Sequence, residues 1–414
     1  MLRCSWAIVV GSLPQGHGYN PAMDIAAIQK SLVDQGIDGW LLYDFRGSNP
    51  IARSVIGFDE SQIGTRRWFY LIPREGEPVG LLHVIEPHAV KGAPGRVVLY
   101  RSWKELEALL KQHLGGMKRV AMEYSAGAAI PYVGRVDAGT VEMVESAGPE
   151  VVSSADLVQY FEARWTPDQK ALHDRAARGC LAAKDAGFAL IRERLAAGRR
   201  VTESEVQALI ALRFQEAGLA THHPCIVAVN DHASDPHFET AAGADDREIR
   251  KGDLVLIDFW AKVAGDPRAV YYDATWMAFC GPDVPSKMRE VWETVKGARD
   301  GAVDFVTRSV AERKTIRGAD VDDVSRQYIE ERGYGPYFLH RTGHSIGYEV
   351  HGNGVNIDNL ETRDQRAIIP GVCFSIEPGV YLPEFGVRSE IDMFIHEDRA
   401  EVTGDIQREL LLLA

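Results

Sequence analysis

The feature that most constrains this chain is a pair of aspartates set into apolar strand sequence. Asp258 follows Leu254-Val255-Leu256-Ile257, and Asp273 sits within Val270-Tyr271-Tyr272-Asp273-Ala274-Thr275-Trp276. A carboxylate in such a run is costly to bury unless it is paired or bound to a metal. Gly265-Asp266-Pro267 between the runs is a turn signal. The two runs therefore predict a hairpin that brings Asp258 and Asp273 onto neighbouring strands. Taken singly, either aspartate reads as a surface residue at a strand end.

Two further acidic residues share the pattern. Glu377 ends the apolar run Val372-Cys373-Phe374-Ser375-Ile376 before Pro378-Gly379, and Glu390 lies in Gly386-Val387-Arg388-Ser389-Glu390-Ile391-Asp392. On one continuous strand, Arg388, Glu390 and Asp392 share a face. A salt-bridged strand edge is the plainest account of that face alone. The segment His340-Arg341-Thr342-Gly343-His344-Ser345-Ile346-Gly347-Tyr348-Glu349-Val350-His351 is the densest histidine cluster, and its glycines permit close backbone approach to a site. Four acidic residues in apolar strands plus a histidine suit divalent Mn, Co, Fe or Zn. Crowded together, such carboxylates repel one another and hold protons unless cations neutralise them.

The rest of the chain reads as a folded α/β protein. Its 414 residues suggest two or three domains, and 45% hydrophobic with 25% charged residues is ordinary for a globular protein with a core. A net charge of −13 argues against nucleic acid or an anionic membrane as partner. Cys4, Cys180, Cys225, Cys280 and Cys373 form no CxxC pair, which excludes a thiolate zinc site and fits free thiols in a reducing cytoplasm. Met1 to Leu13 only faintly resembles a signal peptide, so residues 1–22 read as a loose leader. A helix from Met23 to Gly36 leads to strands at 39–43, 68–72 and 79–84, the last two joined by a turn at 73–78. A helix at 102–114 and a strand at 119–123 complete one α/β alternation. Thr166-Pro167 then opens a long Ala-rich helix, Thr202 with Glu205 forms a capping box, and helices follow at 286–312 and 320–332. The domain boundary falls near residue 165.

These residues resemble the pita-bread-fold metallopeptidases, specifically the branch of Xaa-Pro aminopeptidases and Xaa-Pro dipeptidases (prolidases). The resemblance is strong over about 165–414. It is weaker before that, where Gly36-Ile37-Asp38-Gly39-Trp40-Leu41-Leu42 and Ile56-Gly57-Phe58 resemble the opening of the creatinase/prolidase N-terminal domain. It implies an α/β (α+β) architecture: a creatinase/prolidase-like domain over 1–165 and a pita-bread catalytic domain over 166–414. The family's ligand order of Asp, Asp, His, Glu, Glu matches Asp258, Asp273, His344, Glu377 and Glu390, which implies two divalent ions per chain, with Mn favoured over Co, Zn or Fe. Ile226-Val227-Ala228-Val229-Asn230, leading to Pro236-His237, matches His237 to a substrate-binding histidine. His351 matches the second active-site histidine, and Arg388 an arginine near the substrate, which either pairs with a substrate carboxylate or orients Glu390 and Asp392; Glu377 takes the role of proton shuttle. His340 reads as a support behind the site.

Three departures bear on specificity. The stretch between Asp258 and Asp273 is longer than the family's usual spacing, Asp266 within it is a rival ligand, and Trp260 and Trp276 replace a usual glycine and arginine. Both tryptophans are expected to reshape the pocket rim. The expected activity is hydrolysis of the Xaa-Pro bond of short peptides by a cytoplasmic homodimer that needs neither nucleic acid nor membrane. A hydrolase or lyase of a small non-peptide compound on the same fold is the runner-up. A non-catalytic binding protein on this scaffold is disfavoured by the complete ligand set, and a methionine aminopeptidase by the large N-terminal region.

Overall fold

Strand and helix signals in the first 150 residues resolve into one mixed sheet covered on both faces. The computed structural model describes residues 23–58, 64–243 and 245–413; the expected leader over 1–22, with Cys4, lies outside the described residues. Helix α1 (Ile25–Gln35) starts with the Asp24 side chain accepting from the Ala27 N–H and ends at Gly36, whose φ of 64° suits glycine. Strands β1 (Gly39–Asp44), β2 (Trp68–Pro73), β3 (Val79–His83), β4 (Arg96–Tyr100), β5 (Arg119–Met122) and β6 (Glu150–Ser153) assemble in the order β4-β3-β2-β1-β5-β6. β2 and β3 form the expected hairpin, whereas β1–β5, β5–β6 and β3–β4 pair in parallel. Trp40, Leu42, Tyr70 and Ile72 face α1 and α2 (Pro50–Ile56), while Leu41, Tyr43, Phe69 and Leu71 face α3 (Trp103–Leu114) and α4 (Ala138–Glu145). Burial on both faces explains why these strands read as continuous apolar runs.

A short helix, α5 (Ala155–Val158), and a wider turn at Gln159–Ala163 lead to α6 (Pro167–Ala196). Thr166 and Gln169 form a reciprocal capping box at its start, and Thr202 with Glu205 does the same for α7 (Glu203–Glu216). Both helices cover one face of a second sheet. Its centre is β9 (Leu254–Val263), flanked by β10 (Tyr272–Phe279) on one side and by β7 (Leu219–Ala220) and β8 (Ile226–Val229) on the other. β9 and β10 are the hairpin expected from the sequence, in the register Asp258↔Thr275 and Trp260↔Asp273.

Strand alternation then divides the hairpin. Ile257, Phe259, Ala261, Tyr272, Ala274 and Trp276 pack under α6 and α7. On the opposite face, Leu254, Leu256, Met277 and Phe279 pack against α8 (Ser286–Ala311) and α9 (Gly318–Glu330). Asp258, Trp260, Asp273 and Thr275 continue that second face outward. Trp276 thus lies on the wrong face for a pocket rim: it is buried in the core, with Lys184 Nζ 3.5 Å from its ring centroid. The expectation for Trp276 is corrected by one residue of alternation.

A third sheet closes the site from the other side, in the order β11 (Ser345–Ile346), β12 (Cys373–Ile376), β15 (Ile391–Ile395), β16 (Ala400–Thr403). A separate hairpin joins β13 (Gly379–Tyr381) to β14 (Gly386–Arg388), and β17 (Leu411–Leu412) runs parallel to β10. The continuous strand expected over 387–392 is broken. β14 pairs with β13 and β15 with β12, so the chain changes partners at Ser389-Glu390.

His173 on α6 ties the two later sheets together. Its Nδ1 lies 2.7 Å from the Tyr271 carbonyl oxygen and its Nε2 lies 2.7 Å from Thr403 Oγ1. Complete burial pulls this imidazole from 6.5 down to about 4. Between those values the unfolded chain binds a proton that the folded one refuses, so stability falls as pH falls, by at most about 1.4 kcal/mol per pH unit. Melting temperatures at pH 7 and pH 5 should therefore diverge more for the native protein than for His173→Gln. Equal drops in the two proteins would remove His173 as an acid-sensitive tie.

Candidate metal centre

The five sequence-selected residues converge between the second and third sheets. Asp273, His344 and Glu390 each offer a ligand atom within 4.8 Å of the others. His344 Nε2 stands 3.2 Å from Glu377 Oε1 and 3.7 Å from Asp273 Oδ2. Its Nδ1 lies 3.2 Å from the Ser345 carbonyl, which assigns the proton to Nδ1 and leaves the Nε2 lone pair facing carboxylates. Local packing fixes this placement. A Cβ on Gly343 would meet the Ser375 carbonyl oxygen at 2.0 Å, so glycine alone lets the strands approach closely enough for the His344 N–H to donate to Ser375 Oγ at 2.9 Å. The same hydroxyl donates to Glu377 Oε1 at 3.1 Å. Thr275 Oγ1 donates to Glu390 Oε2 at 2.8 Å.

Arg388, Glu390 and Asp392 share a face towards β10, as expected, but not as an exposed edge: all three are buried. Asp392, which sequence reasoning left as an edge residue, accepts the Asp273 N–H at 2.8 Å. Arg388 is committed within the protein: Nη2 to Asp258 Oδ2, Nε to Thr275 Oγ1, and Nη1 to Tyr381 Oη and the Pro236 carbonyl. Asp266, the rival ligand, is held by the Arg268 guanidinium.

The electrostatics of the cluster are unbalanced. Asp258, Asp273, Glu390 and Asp392 are buried, and Asp258 Oδ1, Asp273 Oδ1, Glu390 Oε1 and Asp392 Oδ1 have no hydrogen-bond partner. Burial first, then repulsion from Asp258, Asp392 and Glu377, pushes the Asp273 carboxyl well above its usual range. Burial followed by Asp273, Glu377 and Asp258 does the same to Glu390. Burial raises Glu377 to about 7 against the pull of Arg388 and Arg341. Burial, then His351 and Arg341, drives His344 well below its ordinary value, so the ring is neutral. Orphaned carboxylate oxygens around a neutral imidazole nitrogen form a donor set that fits hard or borderline divalent cations.

The centre opens into a cavity of about 1680 Å³ that is also lined by His237, His351, Trp260 and, from the N-terminal half, Tyr132 and Arg135. His237 is exposed there. The His351 ring meets the His344 ring edge-on at 4.4 Å. Desolvation in the cleft, reinforced by Arg341 and His237, pulls the His351 imidazole down to about 4. Behind the site, His340 Nε2 lies 2.7 Å from Tyr381 Oη. Sequence reasoning passed over Arg341. Arg341 is buried and lines the cavity; its guanidinium donates to Tyr132 Oη, its backbone N–H donates to Glu361 Oε1 at 2.8 Å, and its charge is felt by Glu377. Its place three residues before His344 was the available signal.

Comparison with known proteins matches this architecture. The model of metallopeptidase family M24 matches residues 171–397. The probable dipeptidase PepE of Mycobacterium tuberculosis is 30% identical over 239 residues, and the Xaa-Pro dipeptidase of Pyrococcus furiosus 30% identical over 237. The chain spans 58% of the length of the first and 62% of the second, with 58% and 56% of its own length aligned. Among solved structures, dipeptidase PepE from Mycobacterium ulcerans superposes with a TM-score of 0.68 at 24% identity, covering 94% of this chain and 96% of that one. Prolidase from Thermococcus sibiricus gives 0.61 at 24% identity, covering 94% and 98%. The fold is thus the pita-bread arrangement behind an α/β N-terminal region. With the family model spanning the sheets that carry all five clustered residues, the chain belongs to metallopeptidase family M24.

Proposed function

We propose that this chain is a di-metal exopeptidase that hydrolyses the Xaa-Pro bond of dipeptides or short peptides. The observation that carries the reading is the buried set of unpartnered carboxylate oxygens around His344 Nε2. Asp258, Asp273, His344, Glu377 and Glu390 hold two divalent ions, with Mn first and Co, Zn or Fe as alternatives. Bound there, such ions lower the pKa of water and polarise a peptide carbonyl. The relatives that carry the name Xaa-Pro dipeptidase support the choice of bond.

The protein side chains supply the remaining chemistry. Glu377, with one oxygen steadied by Ser375, takes a proton from the attacking water and returns it to the proline nitrogen. His237 and His351 donate to the scissile carbonyl oxygen as negative charge develops on it. Arg388 is the positioning partner of Asp258, because each of its three nitrogens is already engaged. The guanidinium open to a substrate carboxylate is that of Arg341. That guanidinium hydrogen-bonds the Tyr132 hydroxyl, with Glu361 and Glu377 nearby, and an arriving carboxylate adds a charge-assisted hydrogen bond. No helix among the described residues is long and apolar enough to cross a membrane. Cys180, Cys225, Cys280 and Cys373 are free and buried, in line with a cytoplasmic enzyme, which the proposal takes to be a homodimer.

Elemental analysis of the purified protein should find about two transition-metal ions per chain. His344→Ala should lose metal, and Glu377→Gln should lower turnover by about 10²–10⁴-fold. With added Mn or Co, a dipeptide panel should show clear preference for proline in the second position; equal hydrolysis of Xaa-Pro and Xaa-Ala would defeat the assignment.

The dipeptide preference has its own test. Xaa-Pro should be cleaved faster than the Xaa-Pro amide, and Arg341→Met should shrink that ratio by about tenfold, mainly through KM. An unchanged ratio would return the carboxylate to another residue.

A further inference from the structure

We infer that Trp260, Tyr348 and Val350 form the wall that receives the Xaa side chain, and that the preferred Xaa is aromatic. This rests on the Xaa-Pro reading of the same site. In such a substrate the proline is fixed, so the variable side chain belongs to the residue whose carbonyl is attacked. That side chain branches from the atom next to the reacting carbon, and it must therefore lie beside the metal ligands.

The hairpin register puts an aromatic surface in that place. Trp260 is the direct cross-strand partner of Asp273 on the face that carries Asp258. Directly opposed side chains on an antiparallel pair stand about 4.5–5.5 Å apart at Cβ. Trp260, Tyr348 and Val350 are partly buried and pack on the buried cluster of Trp165, Val270, Tyr271 and Ile346. All three line the cavity that holds Asp258, Asp273 and His351, so they border the same space as the reacting centre. The layer behind them is already filled; the apolar surface that remains is turned to the cavity.

Lys262 and Glu349 also line this cavity. Lys262 follows Trp260 along the same face, but its ammonium is drawn to the Tyr348 carbonyl at 2.6 Å. The same contact, with the Tyr271 N–H on the Gly347 carbonyl at 3.0 Å, fixes the loop that carries Tyr348 and Val350 against the hairpin. The wall is therefore preformed, and an aromatic ring gains stacked contact there with little ordering of the protein. A cavity of about 1680 Å³ has room for it.

The test uses the metal-loaded full chain and the peptides Phe-Pro, Leu-Pro, Ala-Pro and Glu-Pro. The native enzyme should favour Phe-Pro over Ala-Pro by at least about tenfold in kcat/KM, with Glu-Pro slowest. In Trp260→Ala the Phe-Pro to Ala-Pro ratio should collapse to within about threefold, and in Trp260→Phe it should largely return. Tyr348→Ala gives a second reading of the same ratio should Trp260→Ala fail to fold. A native ratio near one, or a ratio indifferent to both alanine variants, overturns the wall. Failure to cleave any member of the panel, Ala-Pro included, sinks the Xaa-Pro reading and the wall with it, and is distinct from cleavage without discrimination.

Discussion

The structure depends on how several carboxylates are buried around the Arg388 guanidinium. Asp258, Asp273, Glu390 and Asp392 sit almost without water, and Arg388 answers only one of them directly. Two carboxylates on adjacent strands already raise each other's proton affinity, and this cluster compounds the effect with burial. Such a set is stable in two ways: as protonated acids or as ligands of cations. The protein is built for the second. Its hydroxyls and backbone N–H groups take one oxygen of Glu390, Glu377 and Asp392 and leave others without partners, which protonated acids alone would not require.

That cluster exists because a hairpin can be apolar on one face and divided on the other. The side of β9–β10 under α6 and α7 is uniformly apolar and anchors the sheet. The opposite side begins as core at Leu254, Leu256 and Met277, turns acidic at Asp258 and Asp273, and ends aromatic at Trp260. Period-two alternation holds these zones in register, so the apolar end that stabilises the sheet also sets the position of the carboxylates. The third sheet brings His344, Glu377 and Glu390 to the same level through Gly343, whose missing Cβ makes the approach possible.

What the sequence disclosed follows from the same physics. The N-cap at Thr166, the capping box at Thr202, the β2–β3 hairpin and the paired aspartates were legible because each is a local pattern with a local cause. The convergence of His344, Glu377 and Glu390 on that pair required the family resemblance, since no local rule brings the third sheet onto the second. Trp276 was placed at the rim because it stands where the family usually has an arginine, yet one step along a strand moves it into the opposite core. Arg388 was read either as a substrate contact or as a support for Glu390 and Asp392, and its partners Asp258, Thr275 and Tyr381, from three separate strands or their ends, fit a supporting role. The β14–β15 break was hidden for a related reason: both segments are strand-like, and only their change of partner separates them. Arg341 went unnoticed because its place on the cavity wall, bonded to Tyr132 from the N-terminal half, is visible only in three dimensions.

The cavity consequently has three chemical zones. The carboxylate and histidine set is joined by aromatic surface at Trp260, and the Arg341 guanidinium stands near His351 and Glu377 with Tyr132 from the N-terminal half beside it. Under the proposed function, a dipeptide offers a counterpart to each: a side chain, a scissile carbonyl and a terminal carboxylate. The N-terminal half therefore does more than cover the cavity: through Tyr132 it holds the arginine that makes the two ends of the site chemically unlike.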